Sequence, residues 1–240
     1  MPWFLELWVE GPSDASFLEG DDPAIVLGGA LFPIVVRTLK ELSGLSDREF
    51  EQTISVMKPK WLRHVMANHP TFSAFGGGRA SYRLSGRAQK IMSAMTVHRR
   101  KFSDRLVVVA WDRDRDPSNA RDRDQVHDEM RTNGYDGFTC AVCVEAVEAW
   151  LLADPTAFRE RFGVGPKQGL PGKPERDPHP KETLNSVLGK YKETSGLSIP
   201  VLFRRLAEAV DLTTLDRKCQ AGYGRFRSDA KRFLVPLING

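Results

Sequence analysis

The run Leu106-Val107-Val108-Val109-Ala110-Trp111 constrains the fold more than any other feature of the chain. It is apolar throughout and closes directly on Asp112. A strand with one wet face alternates apolar and polar residues. An uninterrupted run needs cover on both faces, as strands of a parallel sheet have between layers of helix. Trp3 to Val9 reads as another strand, aromatic and β-branched, bounded by Glu10-Gly11-Pro12. Phe138 to Val144 reads as a third, buried like the Val-rich one. Helical spacing falls between them. Leu27, Leu31, Ile34, Val35 and Leu39 mark a helix over Ala24–Leu42, which Pro33 should kink or split. Ser13 is placed to cap a short helix through Phe17 and Leu18. After Gly76-Gly77-Gly78, Leu84, Ala88, Ile91, Met92 and Met95 form one apolar helix face. Further helices are expected around Ala120–Thr132 and from Glu145 through Leu152. Strand alternating with helix is the pattern of an α/β fold with a mainly parallel sheet.

No strand signal appears beyond about residue 145. Asp154-Pro155 punctuates the chain, residues 163–180 are rich in Gly and Pro, and helices follow at Lys181–Tyr191, Pro200–Val210 and Gly224–Leu237. This divides the sequence into an α/β domain over 1–155 and a helical C-terminal region over 156–240. With 41% hydrophobic residues, the 240-residue chain can bury a core of that size and is too apolar to be disordered. The first residues carry an early acid and no basic stretch, which argues against a signal peptide. The longest apolar stretch, Ala24–Val36, falls short of a membrane span. Cys140, Cys143 and Cys219 are too few for a disulfide framework. Together these point to a cytoplasmic protein without a membrane partner. Cys140 and Cys143 have the spacing of a metal or redox pair, but they lie inside an apolar strand and read as core.

The net charge of +4 is unevenly spread. No acid occurs between Gln52 and Ser103, whereas Lys58, Lys60, Arg63, Arg79, Arg83, Arg87, Lys90, Arg99, Arg100 and Lys101 lie in that interval. Arg83, Arg87 and Lys90 form a stripe on the helix that follows the glycines. A one-sign segment of this length attracts a polyanion, so DNA or RNA is the expected partner. Solvated charges balanced by acids elsewhere in the fold would give the same composition.

Acids mark the ends of all three strands: Glu10 after the first, Asp112, Asp114 and Asp116 after the Val-rich one, Glu145 and Glu148 after the third. Ligands of open α/β sheets bind at the carboxyl ends of the strands. Hard divalent cations take oxygen ligands, and Mg²⁺ commonly uses one or two carboxylates together with phosphate oxygens. Each acid alone has a structural reading, as a loop, turn or helix-start residue. Their coincidence at strand ends favours a metal site. No phosphate-binding glycine loop occurs, so an ATPase is not indicated.

The order of these motifs resembles the TOPRIM fold, which carries a Glu after its first strand and an Asp-x-Asp after a later hydrophobic strand. Here Trp8-Val9-Glu10-Gly11-Pro12-Ser13-Asp14 and Val107-Val108-Val109-Ala110-Trp111-Asp112-Arg113-Asp114 stand in those places. A closer resemblance is to a TOPRIM-like family of bacterial proteins of the domain-of-unknown-function 4276 type. Its further marks correspond to Glu145-Ala-Val-Glu148-Ala-Trp150-Leu151-Leu152-Ala153-Asp154 and Pro180-Lys181-Glu182-Thr183-Leu184. The resemblance implies a Rossmann-like TOPRIM sheet, a general acid/base at Glu10, and Mg²⁺ (or Mn²⁺) held by Asp112 and Asp114. Asp116, Glu145 and Glu148 are further candidate ligands. It also implies an AAA- or ABC-type ATPase partner encoded nearby in defence-like neighbourhoods. Many TOPRIM nucleases carry a second Glu shortly after the first, where this chain has Asp14.

These expectations combine into a Mg²⁺-dependent nuclease or phosphoryl-transfer protein of a bacterial defence system. Arg79, Arg83, Arg87, Lys90, Arg99, Arg100 and Lys181 would contact the nucleic acid. The alternative is a non-catalytic TOPRIM-like module that binds nucleic acid or the ATPase. The reading requires Glu10, Asp112 and Asp114 to converge within metal-coordinating reach, in one pocket at the carboxyl edge of the sheet.

Overall fold

The computed structural model describes residues 2–10, 29–57, 60–67, 86–113, 116–144, 146–163 and 170–240. Among the described residues, five strands form one parallel sheet: β1 (Trp3–Val9), β2 (Ile54–Val56), β3 (Lys60–Trp61), β4 (Arg105–Asp112) and β5 (Phe138–Cys143). The order across the sheet is β2-β1-β4-β5, and β3 also pairs with β1. β2 and β3 lie along one flank of β1. Trp3 is opposite Ile54 and Trp8 opposite Lys60, so five steps along β1 correspond to six along its neighbour. One extra residue is therefore accommodated between the two short strands, which breaks up this edge of the sheet.

The strict alternation of β4 builds two cores. Leu106, Val108 and Ala110 enter one cluster, while Val107, Val109 and Trp111 enter the other. The first cluster is completed by α1 (Leu31–Ser43), α8 (Pro180–Ser195), α9 (Ile199–Ala209) and α11 (Arg225–Phe233). The second is completed by α4 (Gly86–Lys101) and α5 (Pro117–Thr132). Between these elements run α2 (Asp47–Thr53), α3 (Leu62–Ala67), α6 (Val147–Leu151), α7 (Pro155–Phe162) and α10 (Leu212–Lys218), and α12 (Val235–Ile238) follows α11. The fold is a mixed α/β sandwich with helices on both faces of a parallel sheet, as the Val-rich run requires. Among the described residues no helix is long and apolar enough to cross a membrane.

Pro33 does not split its helix among the described residues. It lies in the first turn of α1, where a backbone N–H has no partner inside the helix and its loss costs nothing. The proposed start of this helix at residues 24–28, and the helix at Ser13–Leu18, fall outside the described residues. Ala88, Ile91, Met92 and Met95 are buried as their spacing required. Cys140 and Cys143 are free and buried. Three residues apart on a strand, they enter opposite cores and cannot form a pair. Burial pushes the Cys140 thiol well above the usual range.

The second edge strand, β5, is closed by the C-terminal helices. Gly137 N–H donates to the carbonyl of Phe233 at 3.3 Å. Cys140 N–H donates to Nε2 of His127 at 3.1 Å, and the His127 ring lies edge-on to Phe233. Burial, reinforced by nearby Arg123, lowers the His127 pKa to about 4. The ring is thus neutral at pH 7 and offers a lone pair to the strand edge.

The segment after β5 joins the sheet to these helices. Trp150 is fully buried and edge-on to Tyr223, and the Tyr223 hydroxyl lies 2.9 Å from that of Thr38 on α1. Asp154 caps α7 through Thr156 N–H at 2.8 Å and accepts Asp211 N–H at 2.9 Å, where α10 begins. Glu175 accepts the N–H groups of Ala221 and Gly222 in the wide turn Gln220–Gly224 that leads into α11. A Cβ on Gly222 would stand 2.5 Å from Glu175 Oε1 and 3.0 Å from both Trp150 Nε1 and the backbone oxygen of Val142. Gly222→Ala is therefore expected to destabilise by about 1–3 kcal/mol. Thermal melting should show a drop of about 2–4 °C per kcal/mol lost. An unshifted melting temperature would mean that the turn has room for a methyl group.

A candidate acidic site at the carboxyl edge of the sheet

Parallel pairing places Val9 opposite Ala110, so Glu10 follows β1 beside the end of β4. Asp112 closes β4 opposite Cys143. Both acids therefore stand at the same carboxyl edge, on adjacent strands spaced about 4.8 Å apart. The pleat sends them to opposite faces. Asp112 continues the Leu106-Val108-Ala110 side, and its Oδ2 lies 3.6 Å from Nζ of Lys181 in the first turn of α8. Glu10 lies on the α4 side, where its Oε1 accepts a hydrogen bond from Arg87 Nη2 at 3.1 Å. The two carboxylates bracket the edge, and each faces a basic side chain from the helix layer on its own side.

The other expected acids divide. Glu148 is 2% exposed in the first turn of α6, so it points into the protein and not into solvent. Asp116 is exposed and caps α5 by accepting Ser118 N–H at 2.8 Å. Those hydrogen bonds hold its carboxyl below the usual range. Asp114 and Glu145 lie outside the described residues, as do Arg79 and Arg83. Among the described residues, no group of three or more His, Cys, Asp or Glu side chains is arranged to hold a metal ion.

The basic residues do not form one surface around this edge. Arg87 sits in the first turn of α4 and Arg99 twelve residues further on, about 18 Å along the helix. Arg99 and Arg100 are exposed near the opposite edge, where Arg99 donates to the Gly134 carbonyl and lies over the Tyr135 ring. Lys90 is exposed one turn from Arg87. Of the basic residues expected to contact nucleic acid, Arg87 and Lys181 meet acids at the carboxyl edge.

A family model for a domain of unknown function, DUF4276, matches residues 9–226. The chain belongs to the DUF4276 family. No curated protein and no solved structure matches it. The DUF4276 match opens one residue before Glu10 and runs into α11, so it takes in both acids, Glu148, Lys181 and the helices that carry them. Most of β1 lies outside it.

That excluded part of β1 contains an acid that sequence reasoning missed. Glu6 sits mid-strand, 1% exposed. Its carboxylate accepts Lys60 Nζ at 2.6 Å, Arg105 Nη1 at 3.1 Å and Trp8 Nε1 at 3.1 Å, with His98 Nε2 at 3.6 Å. Lys60 therefore has an internal acidic partner. A Glu inside an otherwise apolar strand was the signal, since a buried charge demands such partners. Burial raises its pKa, but hydrogen bonds from Lys60 and Trp8 and the charges of His98 and Lys60 outweigh that, and the net shift is downward. A lowered folded pKa contributes stability above the unfolded value, and that stability is lost as pH falls through the folded value. Glu6→Gln should therefore destabilise at pH 7, by about 2–4 kcal/mol given that Lys60 is partly solvated. Denaturant titrations should show the gap to wild type closing below about pH 4. A gap of constant size from pH 7 to pH 3 would contradict the charged network.

Proposed function

We propose that this DUF4276 protein is a TOPRIM-like, Mg²⁺-dependent nuclease acting on nucleic-acid phosphodiesters. The observation that carries the reading is the bracketed edge: Glu10 and Asp112 on neighbouring strands, with Arg87 beside one and Lys181 beside the other. Carboxylates suit a hard cation, and the adjacent cations suit a phosphate. The oxygen donors are of the kind Mg²⁺ takes, with Glu10 and Asp112 reaching the strand ends from opposite faces. Asp112 would hold the cation, and among the described residues Glu10 Oε2, buried and without a hydrogen-bond partner, is left for the proton. By the TOPRIM-like resemblance Asp114 would be a further ligand. When bound, the cation would offset charge on the scissile phosphate.

The chain's own residues supply the rest. Lys181 and Arg87 hold phosphate oxygens from the two faces of the sheet, so the diester lies across the strand ends. Arg87 exchanges its contact with Glu10 for the substrate. Glu10, released from that pair, takes the proton of the attacking water. Asp112 stands on the opposite face and keeps to ligand binding. The TOPRIM-like motif order supports a nucleic-acid substrate, and a phage-defence role with an ATPase partner is what the family resemblance implies.

Cleavage of single- and double-stranded DNA and RNA, with Mg²⁺ or Mn²⁺ and with and without the neighbouring ATPase, tests the proposal. Asp112→Ala should abolish metal-dependent turnover at an unchanged melting temperature. Glu10→Gln should lower turnover by about 10²–10⁴-fold. Undiminished cleavage in Asp112→Ala would refute the assignment. In binding titrations, Arg87→Glu should flatten the salt dependence on duplex DNA by roughly one log unit per log unit of salt, the share of one phosphate contact. An unchanged slope would remove Arg87 from the substrate path.

A further inference from the structure

At the opposite edge of the sheet lies a cavity of about 230 Å³. Its walls include Trp3, His98, Arg99, Phe102, Arg105 and Tyr135. β4 separates it from the acidic edge: Arg105 opens the strand and Asp112 closes it, about 23 Å away. One small ligand cannot touch both places, so the cavity stands independently of the nuclease reading.

Three features narrow the occupant. The walls are rich in flat rings, and Phe102, at 37% exposure, is the only large hydrophobic side chain exposed among the described residues. The part of the Phe102 ring not covered by His98 and Arg105 faces solvent beside the cavity, where a planar ligand can pack against it. Two guanidinium groups are fixed there. Arg99 lies 4.7 Å from the Tyr135 ring centre, and Arg105 lies 4.6 Å from that of Phe4 and 4.7 Å from that of Phe102. Glu6 holds Arg105 through Nη1, and Arg105 Nε, 3.6 Å from Asp104, makes no hydrogen bond among the described residues. Finally, Asp136 supplies a carboxylate to the same lining. Glu6 and Asp104 already engage Arg105, so a bare anion is not what the cavity selects. Ring walls with guanidinium donors and a carboxylate acceptor match the edge of a nucleobase.

We propose that this cavity binds the base of a free nucleoside monophosphate, with guanine preferred. Guanine presents O6 and N7 to guanidinium donors, and its N1–H and amino group to a carboxylate.

The test is a titration of the metal-free full-length protein with GMP, read by Trp3 fluorescence and by calorimetry. AMP, UMP, ribose 5-phosphate and a short single-stranded oligonucleotide serve as comparators. GMP should give a saturable change, AMP and UMP weaker ones, and ribose 5-phosphate none. Phe102→Ala should weaken GMP about tenfold, the worth of one lost stack. Asp136→Asn should weaken GMP and leave AMP unchanged, while Trp3→Phe should remove most of the optical signal and keep the calorimetric one. Glu10→Gln should bind as wild type. The proposal is overturned by the absence of saturable binding, by ribose 5-phosphate binding as tightly as GMP, or by loss of binding in Glu10→Gln, which would move the ligand to the acidic edge. Binding of the oligonucleotide alone, without the free nucleotide, also overturns it. None of these results bears on metal-dependent cleavage.

Discussion

Burial of β4 on both faces is the constraint on which the rest of the structure depends. β4 carries charge only where it enters and leaves the core, and Asp112 stands at the exit. The same pleat commits every neighbour. Because β1 pairs with β4 in parallel register, Glu10 emerges beside it but on the other face. Two helix layers must then cover the two faces, and each brings one cation to the edge: Arg87 from α4 and Lys181 from α8. The site therefore draws on both layers, including the C-terminal helices. Residues from both sides of Pro155 share one apolar cluster.

Much of the sheet was legible because its strands announce themselves by apolar runs. Trp3–Val9 needed no adjustment, and the β4 and β5 segments shifted by a residue at most. The short edge strands β2 and β3 were not legible. Three and two residues carry no periodicity, and their pairing is fixed by β1, including the extra residue between them. The helix α10 was missed because it is seven residues long, though Asp211 caps it through Thr214 N–H. The effect of Pro33 depends on where the helix starts, and among the described residues it lies in the first turn. In a first turn proline is tolerated, and in an interior it is disruptive.

The candidate site was legible as positions but not as directions. Strand-end acids can be counted in a sequence, yet which face each takes depends on register, and which cation meets it depends on helix packing. The basic segment illustrates the difference. Its charge run suggested one polyanion-binding face, but Lys60 pairs with Glu6 and Arg87 with Glu10, while Arg99 is drawn to Gly134 and Tyr135 at the far edge. Acids from β1 supplied partners that no local pattern in residues 52–103 shows.

The central claim is that the bracketed carboxyl edge is a divalent-cation site. Anomalous diffraction from crystals grown with Mn²⁺ tests it without reference to any activity. The account predicts a peak at the ends of β1 and β4, at direct ligation distance of about 2.1 Å from an Asp112 oxygen, and its loss in Asp112→Ala crystals. Mn²⁺ bound elsewhere, with the edge still closed by the Glu10–Arg87 and Asp112–Lys181 pairs, would contradict it.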